Sequence, residues 1–428
     1  MSSESKVTFF KQSGWLVIAT GASGLFLMAV YPLVSNLKDF AIYASLLRVF
    51  TVLGIATTGL QIVMAQDAAA AVTSEAKAEL RANVRGVAAG IFALWLLIAV
   101  VCGIFQDEIA RELQITDQRA LWVTMGLVLA QMFLPFSQGL LQGMQNFAWL
   151  GWSIMLNGLG RIVGIAVAVL FFKSQATGAL AGALFGLGSA VAVALWPARG
   201  LFRSADANFE WKSWLKRVLP LTAGVGSVLF VMNADMIFVQ RHFPREVSAF
   251  YGAVVMIGVG LVTITTPMAA VMFPKVVSSL ARAQRTDSFR MALLGTAALG
   301  LFGAITCTIF PSLPLRIIFF NNPTFWVSAQ LVPWFMWAML PVTVANVLIA
   351  DLLAKRCFAV SFWLLMIAIG YAIAVEQYLT FVPKEDYFAA FKGVVLRLGM
   401  FSLMLLAVSA FYSWRIRTKN RASRSSSP

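Results

Sequence analysis

The chain of 428 residues is 60% apolar and only 12% charged, with a mean hydropathy of +0.82, and this composition lies outside the range of soluble globular domains. Its formal charge is +15, but the basic residues fall in short segments between apolar runs, a pattern that reports membrane orientation and argues against a nucleic-acid surface. An all-α polytopic membrane protein is expected.

The N-terminal MSSESKVTFFKQSG lacks the short apolar core and small-residue cleavage site of a secretory leader, so the first apolar run is read as a retained span. A helix needs about 20 apolar residues to cross the hydrocarbon core. By that measure twelve spans are predicted, near 13–34, 41–66, 86–105, 120–143, 149–172, 177–199, 215–240, 247–273, 289–312, 327–353, 358–380 and 388–413. With the N-terminus inside, the cytoplasmic segments hold 21 Lys and Arg against 8 on the opposite side, with four more inside spans. Both termini are therefore expected in the cytoplasm. The net acidic FQDEIARELQITDQRA falls on the outer side, in agreement.

A shift of 208 residues lays YASLLRVFTVLGIATTGLQIVMAQ on YGAVVMIGVGLVTITTPMAAVMFP, pairing Tyr43, Leu53, Thr57, Thr58, Val63 and Met64 with Tyr251, Leu261, Thr265, Thr266, Val271 and Met272. The shift sets span 2 on span 8 and divides the chain into two sets of six spans. Because six is even, the halves share one orientation and are expected as lobes related by a parallel pseudo-two-fold repeat. The expected organisation is an N-terminal lobe over 1–200, a basic, Trp-containing cytoplasmic linker over 201–214, a C-terminal lobe over 215–413 and a basic disordered tail over 414–428. The tail has no acidic residue and little to bury, which suits loose attachment to anionic lipid.

Several chemistries find no motif. There is no GxxxxGK[ST] phosphate loop, no GxSxG and no HExxH, and GLGRIVG has the wrong last gap and no preceding strand for a dinucleotide loop. Cys102, Cys307 and Cys357 form no CxxC pair and read as small buried hydrophobes. His242 is the only histidine, which argues against a metal site. No cofactor is expected, and outward loops of at most about 14 residues leave little room for an active site, so transport is favoured over catalysis.

The intramembrane charges carry the functional signal. Arg161 lies about twelve residues into span 5, near the midplane at a rise of about 1.5 Å per residue, with Arg397 about nine residues into span 12 and Arg48 about seven into span 2. Lys392 is shallow enough to anchor at the interface. Carboxylates on neighbouring helices, Asp235 in span 7 and Glu376 in span 11, would neutralise two of these cations and leave about one positive charge in excess. An anion in a water-filled cavity would complete the count, so Arg48, Arg161 and Arg397 are candidates for substrate binding. Asp235 is either the counter-charge to an arginine or a coupling site, and Glu376, Asp67 and Asp351 are candidates for coupling or gating. Lys275 lies, with Asp67 and Asp351, at a cytoplasmic helix end. Pro135, Pro267, Pro333 and Pro341 are expected to interrupt or kink spans, and TGASG, GVGSV and NGLGR to permit close helix contact.

The two six-span lobes, QGLLQGMQNFAWLGWSIMLNGLGRIVGI across spans 4 and 5, and NADMIFVQRHFPREVSAFYGAVVMIGVGLVTITTPMAAVMFPKVV across spans 7 and 8 resemble the Wzx-type polysaccharide flippases. These are a branch of the multidrug/oligosaccharidyl-lipid/polysaccharide (MOP) exporter superfamily. The most specific piece is Asp235 late in span 7, a short turn, Tyr251 opening span 8, and Phe273-Pro274 closing it. The resemblance implies an alternating-access cavity, often cationic, that flips an undecaprenyl-pyrophosphate-linked oligosaccharide from the cytoplasmic to the outer leaflet of the bacterial inner membrane. Implied partners are the lipid-linked glycan, membrane lipid, and glycosyltransferases and a polymerase of the same pathway, with no nucleic acid and a monomeric chain. Lipid II flippases of this superfamily usually have two further helices. The alternative is a cation-coupled drug exporter of the MATE type; these often carry an acid in span 1, where residues 13–34 have no ionisable side chain except Tyr31. A membrane glycosyltransferase would need a larger outward loop.

Overall fold

A computed structural model describes residues 3–28, 57, 59–108, 118–170, 176–202, 209–282, 287–319 and 323–425. The described residues are helical, with no strand among them. In chain order the long helices are α1 (Ser3–Met28), α2 (59–70), α3 (Ser74–Ile104), α4 (Gln118–Gly143), α5 (Phe147–Leu170), α6 (Ala176–Ala198), α7 (Trp211–His242), α8 (Arg245–Ala281), α9 (Ser288–Ile309), α10 (Val332–Ala354), α11 (Ala359–Phe381) and α12 (Tyr387–Ser425). Among the described residues ten helices, α3 to α12, are long and apolar enough to cross a membrane, so this is a multi-pass membrane protein. The helix α1 overlaps the first predicted span, and α2 the second, most of which lies outside the described residues.

Residues group into two compact units, one of 7–219 with 277–284 and the other of 1–6, 220–276 and 285–428. In the first, lipid is as apolar as the helix surfaces, so close packing must hold the helices together. The sequence supplies glycines for it. On α5, Gly158 lies against Ser23 of α1 and Gly151 against Trp15, while Gly160 and Gly164 on another face meet Gly186 and Gly182 of α6. A side chain at any of these would strike the neighbour. Leu127 and Leu134 of α4, Ile165 of α5, and Leu180 and Leu187 of α6 fill the core behind this seam. Thr73 caps α3, its hydroxyl accepting from the Ala76 amide at 3.2 Å. Phe209 and Trp211 lie across Gly86 and Gly90 of α3, seating the start of α7.

In the second unit α10 is the most enclosed helix and packs on α9 and α12. Tyr251, Phe335 and Phe391 meet in its core, with ring centroids 6.0 Å apart for Tyr251 and Phe335 and 5.2 Å for Tyr251 and Phe391. Pro135, Pro267 and Pro341 sit inside helices. Pro333 instead opens α10, where a missing N–H costs nothing because first-turn amides have no intrahelical partner. GVGSV is only half used: Gly224 meets Ser361, while nothing lies near Gly226. The last helix runs through to Ser425, where a disordered tail from 414 was expected.

The two units share a local signature. After α4, the amides of Gln145 and Asn146 donate to the carbonyls of Gln142 and Leu141; after α10, those of Arg356 and Cys357 donate to Leu353 and Leu352. Gln145 and Arg356 both adopt φ of 57°, the left-handed conformation that closes such a helix end. These positions are 211 residues apart, close to the shift that aligns spans 2 and 8.

Candidate functional site

The fully buried carboxylate of Asp235 lies on α7, about two turns from its C-terminal end. The chain then turns at Phe243-Pro244, and the Ser248 hydroxyl ties the turn to the Val239 and Phe243 carbonyls. This hairpin sets Tyr251 of α8 opposite Asp235. The Tyr251 hydroxyl donates to Asp235 Oδ2 at 2.6 Å, and the Met236 amide to Oδ1 at 2.9 Å. Tyr371 of α11 is also buried, and its hydroxyl has no hydrogen-bond partner among the described residues. A charged carboxylate out of water is costly unless paired, yet no basic side chain forms an ion pair with Asp235 among the described residues. Among the described residues its side-chain partner is a tyrosine.

Glu376 is held on α11 by the other end of the same hairpin. Arg241 Nη1 lies 3.3 Å and His242 Nε2 3.7 Å from Glu376 Oε1, while His242 Nδ1 faces the Phe238 carbonyl at 3.0 Å. Arg397 is therefore left to other partners. Its guanidinium lies over the Tyr378 ring, 3.5 Å from the centroid, and Nη1 donates to the Gly393 carbonyl at 2.9 Å. Gly393 makes this possible, because a Cβ there would run into the Tyr378 hydroxyl. Arg397 is half-buried and forms no ion pair with a carboxylate among the described residues. Lys392 Nζ stands 4.0 Å from the centre of the Trp334 ring, as an interfacial anchor would.

In the first unit Arg161 is 7% exposed and lies where α5 meets α6, its Cγ against Gly186. Arg48 lies outside the described residues. Asp67, at the end of α2, accepts from Arg217 Nη1 at 2.6 Å and from Asn83 Nδ2 at 3.1 Å, joining α2, α3 and the first turns of α7. Asp351 pairs with Lys355 at 2.5 Å, one turn along α10. Cys102, Cys307 and Cys357 are free thiols, and burial pushes the Cys357 thiol above its ordinary range. Sequence reasoning missed Tyr371 and Tyr378, although tyrosines inside an otherwise apolar run, at the depth of unexplained charges, were a usable signal.

Three comparisons bear on this geometry. The model of a family described as "Polysaccharide biosynthesis protein" matches residues 9–280. No curated protein matches the chain. Among solved structures, a MATE in complex with MaD3S superposes with a TM-score of 0.78 at 12% identity, covering 96% of this chain and 97% of that one. An outward-facing multidrug resistance MATE family transporter of the MOP superfamily gives 0.76 at 14% identity, covering 99% and 97%. A MATE in the straight conformation gives 0.76 at 13% identity, covering 96% and 97%.

Proposed function

We propose, from the premise that this chain belongs to the polysaccharide biosynthesis protein family and so to the membrane transporters of the MOP superfamily, that it is an alternating-access flippase. Its substrate is an undecaprenyl-pyrophosphate-linked oligosaccharide, moved from the cytoplasmic to the outer leaflet of the inner membrane for surface polysaccharide biosynthesis. Both termini lie in the cytoplasm, as the basic segments favour, and glycosyltransferases and a polymerase of the same pathway work beside it.

The observation that carries this reading is Arg397. A guanidinium held over the Tyr378 ring keeps N–H groups for a second acceptor, and its planar fork matches a phosphate better than a point charge does. The hydrogen bond to Gly393 uses one of five donors. An arginine kept inside a spanning helix with no carboxylate in an ion pair with it among the described residues is arranged for an anion that arrives with the substrate. Arg161, buried on α5, supplies a second cation for a pyrophosphate as it passes the midplane, and Arg48 a third.

One observation favours a second reading. Asp235, buried against Tyr251, could take up a proton, and the fold is shared with MATE transporters, so cation-coupled drug export is the alternative. Rescue separates the two. In cells whose own glycan flippase is deleted, this chain should restore surface polysaccharide, and Arg397→Ala should lower it about tenfold at unchanged membrane abundance. Resistance to cationic drugs without polysaccharide rescue would instead support the exporter.

A further inference from the structure

Two apolar hollows open along the exposed side of the α5–α6 seam. The inner one, about 480 Å³, is lined by Trp149, Trp152 and Leu156 of α5 and Val193 of α6. The outer one, about 430 Å³, lies among Val163 and Val167 of α5 and Ala181 and Phe185 of α6. Between them the helices close where Gly160 meets Gly186. Val163 is 47% and Phe185 60% exposed, so in a bilayer these walls face hydrocarbon. At the inner mouth Trp149 and Trp152 are exposed, and past Val193 on the same helix end the Arg199 guanidinium lies 4.4 Å from the centre of the exposed Trp196 ring.

We propose that this seam docks a long polyisoprenyl chain, with its phosphoryl head at Arg199 and its tail running past the glycine crossing into the outer hollow. The proposal rests on the flippase reading and adds where the carrier's tail lies. Charge complementarity sets the head: a cation held on an aromatic ring at the inner interface suits a phosphoryl group. Reach sets the tail. From Ala148 to Ala168 the seam runs about 30 Å at 1.5 Å per residue, the thickness of the whole hydrocarbon core. A phospholipid acyl chain spans one leaflet and fills one hollow, whereas a polyisoprenyl chain can enter both from a single head.

Binding of lipids to the full chain in phosphatidylcholine nanodiscs, measured by native mass spectrometry, tests this without any transport. Undecaprenyl phosphate should bind at least about tenfold more tightly than farnesyl phosphate, which has the same head and a tail too short for the outer hollow. Ala181→Trp fills that hollow from an exposed position and should abolish the difference while leaving farnesyl phosphate binding unchanged. Arg199→Gln should weaken both. Equal binding of the two phosphates by the native chain would overturn the proposal. So would equally effective competition by phosphatidylglycerol, or self-association of the chain through this face that Ala181→Trp disrupts. If the chain-length preference holds and no lipid-linked glycan is moved, the flippase reading fails alone. If glycan is moved and the preference is absent, only the seam fails.

Discussion

Asp235 has its stabilising partners within two turns of the α7–α8 hairpin, and this makes its role separable from its folding. Tyr251→Phe removes the 2.6 Å hydrogen bond and leaves a buried acceptor short of a donor, a loss of about 1–3 kcal/mol that thermal unfolding in detergent should register. Asp235→Asn keeps an acceptor for the Tyr251 hydroxyl and removes the charge. Transport in vesicles should then lose its pH dependence and keep a basal rate; an unaltered pH profile would remove Asp235 from coupling. Arg161 makes a different demand. Arg161→Ala should cut transport while membrane abundance stays near normal, and failure of the protein to accumulate would mark the arginine as structural. Of these residues the sequence showed the charges and their depths but not their partners. Depth along a helix follows from residue number, whereas Arg397 reaching Tyr378 and Glu376 reaching Arg241 depend on helix rotation, which an all-apolar run does not encode.

At the scale of elements, glycine content and position translate directly into packing. NGLGR on α5 puts Gly158 toward α1 and Gly160 toward α6, two residues apart and so on different faces of the helix. Gly182→Val forces a side chain onto the α5 backbone at Gly164 and Ile165 and should destabilise the protein by about 1–3 kcal/mol, read as a lower unfolding midpoint. The network of Asp67 with Arg217 and Asn83 joins α2, α3 and α7 in the same unit. Arg217→Ala takes the cation from a buried carboxylate that keeps the Asn83 amide and should lower the unfolding midpoint, while pairing it with Asp67→Leu should recover part of the loss; a double variant as unstable as the single one would refute the pairing. Helix ends were the least legible. Span 8 extends to Ala281 and the last helix to Ser425, because helical hydrogen bonding continues past the apolar run that marks the hydrocarbon core.

For the whole molecule, hydropathy and charge established the class, and the matched family and fold agree with the resemblance read from Asp235, Tyr251 and Phe273-Pro274. The twin helix-end turns at Gln145 and Arg356 give the weak internal repeat a structural counterpart that sequence identity could not supply, since a left-handed residue closing a helix needs no particular side chain there. Substrate class follows from the chemistry of these charges. The most direct test is reconstitution of the full chain in vesicles with a fluorescent undecaprenyl-pyrophosphate-linked oligosaccharide, scoring the fraction that reaches the opposite leaflet against a cationic dye. The account predicts that the glycan lipid crosses and the dye does not, that Arg397→Ala slows crossing about tenfold, and that Arg397→Lys, which keeps charge but loses the planar fork, falls between. Transport of the dye without the glycan lipid, or an Arg397→Ala protein that flips at the native rate, would contradict it.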